Sequence, residues 1–114
     1  MKTIGAALIV GLLLLVSTPS QAEGDDAKTC VGAPVIDRNP NCKKGNSARI
    51  QNRCDVPVEA RICIYTTEGK WDCGVSYAIE PGKSWSYPSC FGTNKTFYDA
   101  RPSGSKRRFD NPLD

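Results

Sequence analysis

Six cysteines constrain this chain more than any other feature of its sequence. They are spaced 9 to 17 residues apart, without a CxxC pair, and the chain contains no histidine. A zinc site would have to gather four thiolates from these distant positions, whereas an even number of cysteines in a short chain is typical of disulfides. We therefore expect three structural disulfides, no bound metal and no cofactor. The cysteines are Cys30, Cys42, Cys54, Cys63, Cys73 and Cys90.

The first 22 residues have the pattern of a secretory signal peptide. Lys2 precedes an apolar run over residues 4–16, and Ser20 and Ala22 are the small residues that signal peptidase reads before its cut. The run is shorter than the roughly 20 residues that span a bilayer as a helix. We therefore expect a cut after Ala22, a secreted location (extracellular or periplasmic) and a mature chain without an integral membrane segment.

The mature part, residues 23–114, is mildly basic. The chain has 15 basic and 12 acidic residues, and the leader contributes only Lys2, so removal of the leader lowers the net charge from +3 to +2. This balance does not favour nucleic acid as a partner, and an extracellular protein or glycan is the expected class of partner.

Alternating apolar and polar residues predict short strands and no long helix. Over residues 56–64 the even-numbered positions are apolar, and over residues 71–79 the odd-numbered positions are apolar. A glycine-containing loop and a Pro-Gly turn follow these two stretches and predict reversals of the chain. We therefore expect an all-β domain, either a small antiparallel sandwich or an open barrel of four to six strands. The predicted strands are 48–52, 56–64, 71–79, 84–87 and 96–101.

Composition divides the mature part into three segments. Residues 23–45 are polar and interrupted by prolines, which predicts an irregular N-terminal loop. Residues 46–101 form the predicted disulfide-stapled β domain. Residues 102–114 are polar and contain three basic residues in a row, which predicts a mobile basic tail with Phe109 as its one candidate anchor.

The central β-hairpin predicts one disulfide. If Tyr65 lies opposite Trp71, then Cys63 lies directly across from Cys73, and both side chains leave the same face. Cys63 nevertheless belongs to the polar face of its strand, whereas Cys73 belongs to the apolar face of the next strand. Either both faces of the hairpin are covered, or a β-bulge changes which residues of one strand face the core. The other two pairs, chosen from fifteen possible connectivities, are expected to be Cys54–Cys90 and Cys30–Cys42.

Little in the sequence points to catalysis. Without histidine there is no Ser-His-Asp or Cys-His pair, and thiol redox chemistry typically uses the CxxC motif that this chain lacks. Glu59 and Asp72 are expected on strand faces turned to water, and a glycosidase pair would need a substrate cleft. We therefore expect a binding protein that is not an enzyme. The alternatives are a secreted effector, toxin or inhibitor that docks on another protein and, ranked last, a small hydrolase.

The predicted binding surface combines the hairpin loop 66–70 with the turn 80–83, because exposed loop tips on a rigid scaffold commonly carry binding residues. Tyr65 and Trp71 lie where the loop leaves the strands and would supply aromatic anchors. Trp71 and Trp85 are, however, in phase with apolar neighbours, which favours core positions for these two tryptophans. An ordinary solvated turn is the alternative. The expected polar rim consists of Glu68, Lys70 and Lys83.

One stretch of the chain resembles a known group of proteins. Residues 52–90 contain NRCDVPVEARICIYTTEGKWDCG and then EPGKSWSYPSC, with an Asn-x-Cys opening, a Pro-Val strand, a Trp-x-Cys-Gly strand and a Pro-Gly turn. This order resembles a pattern in small secreted cysteine-stapled bacterial proteins, most of which are uncharacterised. The resemblance covers a third of the chain, implies secretion and a β fold, and brings no catalytic residue.

Overall fold

The structure is a computed structural model that describes Gly24 and residues 26–113, so the expected signal peptide over residues 1–22 lies outside the described residues. The described residues form one helical turn and six strands: α1 (Lys28–Val31), β1 (Val35–Arg38), β2 (Asn46–Gln51), β3 (Val58–Thr66), β4 (Trp71–Ile79), β5 (Ser84–Ser89) and β6 (Gly92–Pro102). Two antiparallel sheets have the strand orders β1-β2-β5 and β4-β3-β6. The predicted antiparallel all-β domain with three disulfides is therefore confirmed.

Strand β3 is the centre of the second sheet, because β4 and β6 pair with its two edges. Its even-numbered apolar residues, among them Val58, Ile62 and Ile64, are fully buried in one cluster with Ile50 of β2. Side chains on successive residues of a strand point to opposite faces, so the alternation in the sequence identifies the face that β3 buries.

A β-bulge in β4 changes which of its residues face the core. Ala60 pairs with Ser76 whereas Val58 pairs with Ile79, so β4 carries one residue more than β3 in this interval. The prediction that all odd-numbered residues of this strand share one face is therefore wrong. Ile79 is buried with the core, whereas Tyr77 is 65% exposed.

The predicted hairpin disulfide is confirmed. Tyr65 pairs with Trp71 and Cys63 with Cys73, and the two cysteines form a disulfide with their Cα atoms 4.0 Å apart. The bulge lies beyond Cys73, so the first half of β4 turns its odd-numbered residues to the outer face that Cys63 also occupies. Cys63 and Cys73 therefore lie on the same outer face of the sheet, although one occupies a polar position and the other an apolar position in the alternation of its strand.

The other two expected disulfides are wrong, because the cysteines pair as Cys30–Cys54 and Cys42–Cys90. The Arg53 amide donates to the Cys30 carbonyl oxygen at 3.2 Å, which places α1 against the segment that links β2 to β3. Strand β1 then carries the chain to the other end of its sheet. There the β1–β2 loop meets the β5–β6 turn, because β2 pairs with β5.

The N-terminal segment is more regular than its composition suggests. Residues 23–45 contain α1 and β1, and the two prolines Pro34 and Pro40 flank β1 without interrupting it. Strand β1 pairs with β2, and Arg49 Nε donates to Asp37 Oδ2 at 3.1 Å on the exposed face. Proline at a strand boundary costs no ladder hydrogen bond, so these residues mark the limits of an edge strand.

The two sheets are in close contact where Tyr87 of β5 lies on Gly74 of β4. A Cβ atom at position 74 would lie 2.2 Å from Tyr87 Cε1, so only glycine leaves room for the ring. The Tyr87 hydroxyl donates to Asp72 Oδ1 at 2.6 Å. The expectation that Asp72 faces water is therefore wrong, because its carboxylate lies between the sheets. Burial, followed by the hydrogen bond and the negative charge of Asp72, raises the pKa of Tyr87 to about 12.

The disulfide connectivity can be tested directly, because trypsin places each cysteine in a different peptide. We expect mass spectrometry of a non-reduced digest to show three linked pairs and no others. Peptide 29–38 joined to peptide 39–43 would contradict the structure, since it would report the Cys30–Cys42 bridge. The expected pairs are 29–38 with 54–61, 39–43 with 84–95, and 62–70 with 71–83.

We expect Gly74→Ala to lower the free energy of unfolding by about 1–3 kcal/mol, because the new methyl group must displace the Tyr87 ring and weaken its hydrogen bond. Urea unfolding of the oxidised protein measures this change. The same substitution in a Tyr87→Ala background meets no ring and should cost little. An equal cost in both backgrounds would show that the ring is not what excludes a side chain at position 74.

Candidate functional site

Three connections meet at one end of the sandwich, which we call the Phe91 end: residues 42–45, 66–71 and 89–95. They lie side by side because β2 pairs with β5 and β3 pairs with β6. The Thr67 amide donates to the Phe91 carbonyl oxygen at 2.9 Å, which joins the hairpin loop of the second sheet to the β5–β6 turn.

A disulfide and a glycine fix the other side of the Phe91 end. The Cys42–Cys90 bridge ties the β1–β2 loop to the β5–β6 turn. Gly45 has a φ of +124°, and a Cβ atom there would lie 2.5 Å from the carbonyl oxygens of Ser89 and Cys90. The loop therefore approaches the turn as closely as backbone allows, and this approach requires glycine.

Phe91 stands at the tip of this end with 58% of its surface exposed. A hollow of about 480 Å³ lies beside the ring, and its lining includes the Cys42–Cys90 disulfide, Lys43 and Lys44. The surface that lines it is mainly apolar, and its charged side chains are the two lysines. Exposed phenylalanine beside a concave apolar surface is typical of a contact site for another molecule.

A second hollow, of about 510 Å³, lies between Phe91 and the hairpin loop. Its lining includes Glu68, Lys70 and Trp71, which are three of the residues predicted for binding. Phe91 thus separates two concave regions, one on each side of the turn.

The exposed charges of the Phe91 end are predominantly positive. Within residues 42–45, 66–71 and 89–95 the exposed charged side chains are four lysines and one glutamate, namely Lys43, Lys44, Lys70, Lys95 and Glu68. The nearly neutral composition of the whole chain conceals this local excess.

The predicted aromatic anchors lie on the outer face of the second sheet, beside the Phe91 end. Tyr65 and Trp71 are half-buried and meet edge to face, with their ring centroids 5.1 Å apart. Lys95 Nζ lies 4.7 Å from the Tyr65 ring centroid and 5.4 Å from that of Trp71. The expected core position of Trp71 is therefore wrong, whereas Trp85 packs against the core as expected.

The structure brings four of the five predicted binding residues together and separates the fifth. Tyr65, Glu68, Lys70 and Trp71 surround the hairpin loop. Lys83 belongs to the turn at the far end of β4, which is nine residues long and therefore spans roughly 26 Å. The prediction that the turn 80–83 joins the hairpin loop in one surface is wrong, because the two connections terminate opposite ends of the same strand.

A buried asparagine holds Lys83 at that opposite end. Asn52 is fully buried, and its side chain donates to the Val56 and Ile79 carbonyl oxygens at 2.9 and 2.8 Å. The backbone amide of Asn52 donates to the Lys83 carbonyl oxygen at 2.8 Å, and the backbone carbonyl oxygen of Asn52 accepts from the Gly82 amide at 2.7 Å. Every one of these contacts serves the fold.

The residues of this site that the sequence did not reveal are Phe91, Lys43, Lys44 and Lys95. They come from segments more than 45 residues apart and meet because β2 pairs with β5 and because the Cys42–Cys90 bridge, whose sequence separation is 48, joins the two connections. The available signal was local: a large apolar residue directly after a cysteine and before a glycine, at the tip of a short turn.

Asp99 is a buried carboxylate whose role is structural. Arg107 donates to both of its oxygens at 2.9 Å, and the Asp110 amide donates to Oδ2 at 2.8 Å. Burial alone would raise the pKa of Asp99, but the hydrogen bonds and positive charge of Arg107, with the backbone amides of Asp110 and Ala100, outweigh burial and lower it. Asp99 is therefore ionised at neutral pH and fully engaged.

This ion pair anchors the C-terminal segment, which was expected to be a mobile tail. The predicted anchor Phe109 packs under Arg101, with the guanidinium carbon 4.0 Å from the ring centroid. Arg101 Nε also donates to Glu59 Oε1 at 2.7 Å, so Glu59 is paired and largely buried instead of facing water. Residues 107–110 therefore lie against the outer face of the second sheet.

Comparisons with known proteins add no relative to this geometry: no family model, no curated protein and no solved structure matches the chain. Within the described residues, no group of three or more histidine, cysteine, aspartate or glutamate side chains is arranged to hold a metal ion. The same residues contain no helix with the length and apolar character needed to cross a bilayer.

We expect Asp99→Asn to lower the free energy of unfolding at pH 7 by about 2–3 kcal/mol, because it removes the charge that Arg107 and two amides stabilise. The folded-state pKa of Asp99 is lowered, so its contribution is present above the unfolded-state pKa and is lost as pH falls through the folded-state pKa. Urea unfolding at pH 7 and at about pH 2.5 should show the wild-type advantage shrinking in acid.

The matched control for this measurement is Asp37→Asn, which removes an exposed ion pair with Arg49. Exposed pairs contribute about 0–1 kcal/mol, so this variant should stay close to the wild type at both pH values. A difference between Asp99→Asn and the wild type that does not change with pH would contradict the assignment of an ionised, stabilising Asp99.

Proposed function

We propose that this chain is a secreted or periplasmic protein that binds a partner without catalysing a reaction, and that the partner docks on the Phe91 end. The observation that carries the proposal is Phe91 itself. Its ring is 58% exposed at the tip of a turn that is held by a disulfide and by a hydrogen bond to the neighbouring hairpin. Large apolar side chains at the centre of a contact surface commonly supply most of the binding energy.

The rigidity of the Phe91 end supports a docking role. The Cys42–Cys90 bridge, the Thr67–Phe91 hydrogen bond and the close approach at Gly45 hold the three connections in one arrangement. A surface that is ordered before it meets a partner loses little conformational entropy on binding.

The position of the carboxylates supports a role without catalysis. Glu59 pairs with Arg101, Asp72 accepts from Tyr87, and Asp99 is held by Arg107. Each of these acidic groups is engaged in the fold at a different place. A general acid and base pair would need two carboxyl groups directed at one substrate position.

The disulfides support the proposed location. All six cysteines are paired, and disulfides persist in oxidising compartments such as the extracellular space, the endoplasmic reticulum and the bacterial periplasm. Together with the predicted signal peptide over residues 1–22, this pairing favours export of the mature chain.

We expect Phe91→Ser to abolish selective capture of a partner from the medium or periplasm of the producing cells. The oxidised protein serves as immobilised bait, and quantitative mass spectrometry compares the captured proteins and glycans between variants. A partner that docks on the Phe91 end should be recovered at least about tenfold less with Phe91→Ser, equivalent to about 1.4 kcal/mol.

The chain offers a matched control in Tyr77→Ser, which removes another exposed aromatic ring, 65% accessible, near the opposite end. Lys70→Ala and Lys83→Ala form a second matched pair, because both lysines are exposed but terminate opposite ends of β4. Loss with Tyr77→Ser or Lys83→Ala, and retention with Phe91→Ser and Lys70→Ala, would place the docking surface at the other end of the domain.

A further inference from the structure

Resting on the proposed function, we propose that the partner presents an acidic peptide segment with one protruding apolar side chain, and that this segment crosses the Phe91 end. The lysines meet the acidic residues, and one hollow beside Phe91 receives the apolar side chain. Charge complementarity and the shape of the surface carry this inference.

The charge distribution distinguishes the two ends of the domain. The Phe91 end has four exposed lysines and one exposed glutamate. At the opposite end, the connections 52–57 and 80–83 and the segment after β6, where the Ser103 amide donates to the Pro57 carbonyl oxygen, expose three basic and two acidic residues, namely Arg53, Lys83, Lys106, Asp55 and Glu80. The excess of positive charge is therefore larger beside the exposed phenylalanine, three charges against one at the opposite end. Complementary charge at such a surface selects acidic partners and accelerates their association.

The arrangement of the lysines follows the two hollows. Lys43 and Lys44 line the hollow that contains the disulfide, whereas Lys70 lines the hollow on the hairpin side together with the carboxylates of Glu68 and Asp72. A chain that passes over Phe91 therefore meets two lysines and no carboxylate in the disulfide hollow, where its acidic residues would bind, and mixed charges in the hairpin hollow. Lysine stems lie along apolar surface while their ammonium groups stay in water, so the same residues extend the apolar walls.

The shape of the surface favours a peptide over a lipid membrane. A hollow of about 480 Å³ beside Phe91 is lined by the Cys42–Cys90 disulfide and by glycines, and a flat layer of headgroups would leave it unfilled. A protruding side chain fills such a hollow and buries apolar surface at about 25 cal/mol per Å².

The test uses a displayed library of random short peptides, selected on the oxidised protein without bias in composition. We expect the selected sequences to be enriched in aspartate and glutamate around one aromatic or aliphatic residue. Synthetic versions of these peptides, titrated by fluorescence anisotropy, should bind at least about tenfold more weakly to Lys43→Glu/Lys44→Glu and to Phe91→Ser. Their affinity should also fall as salt rises from low concentration to about 0.5 M.

The matched control is Lys83→Glu/Lys106→Glu, which makes the same change in net charge with two exposed lysines away from the Phe91 end. This variant should bind the peptides within about twofold of the wild type. All substituted positions are exposed or half-buried side chains outside the core cluster, and an unchanged disulfide map verifies that each variant is folded.

The outcomes separate this inference from the proposed function. Selected peptides that are neutral or basic, yet still require Phe91, would overturn the acidic partner and leave the Phe91 end as the docking surface. Peptides that bind Phe91→Ser as well as the wild type would overturn both. Failure to select any peptide above the bare-support background would overturn the peptide segment, and binding of phosphatidylserine vesicles in that case would assign the patch to a membrane surface.

Discussion

The contact between the Tyr87 ring and the backbone of Gly74 determines how the two sheets pack against each other. Tyr87 of β5 occupies the space that a side chain at Gly74 of β4 would fill. Its hydroxyl donates a hydrogen bond to Asp72, which also belongs to β4. The contact fixes both the separation of β4 from β5 and their relative position along the strands. The hairpin loop that begins β4 and the turn that ends β5 therefore reach the same end, where Thr67 and Phe91 are joined.

Buried polar groups give this small domain much of its specificity. Asn52 satisfies five backbone partners near one end, and Asp99 accepts from Arg107 and from two backbone amides on the outer face. A buried polar group without partners costs about 1–3 kcal/mol, so such groups tolerate few alternative arrangements of the chain. They stabilise the loops and the C-terminal segment, which contain no strand that packs on the small apolar core.

Local pattern was sufficient for some parts of the fold and insufficient for others. The alternation in β3 and the register of Tyr65 with Trp71 depend on neighbouring residues, and both were predictable, as was the disulfide between Cys63 and Cys73. A bulge was one of the two alternatives that the opposite faces of Cys63 and Cys73 left open, but its position near Tyr77 was not predictable, because an inserted residue leaves the periodicity of each half-strand intact. The remaining disulfides depend on β2 pairing with β5, a long-range choice that no local spacing determines.

The candidate site divides in the same way. The hairpin loop and its aromatic residues could be found from the sequence, since turn signals and flanking strands define them. Phe91 and the lysines of the β1–β2 loop could not, because their proximity results from the sheet order.

The three bridges differ in the length of chain that they span, and this difference orders their formation. Cys63 and Cys73 are 10 residues apart within one hairpin and can meet as soon as that hairpin forms, whereas Cys42 and Cys90, 48 residues apart, must wait for β5 to find β2. The covalent closure of the Phe91 end is then a late event in oxidative folding. The Phe91 end then takes its fixed shape only after the rest of the domain has been assembled, so the most exposed phenylalanine of the fold is positioned last.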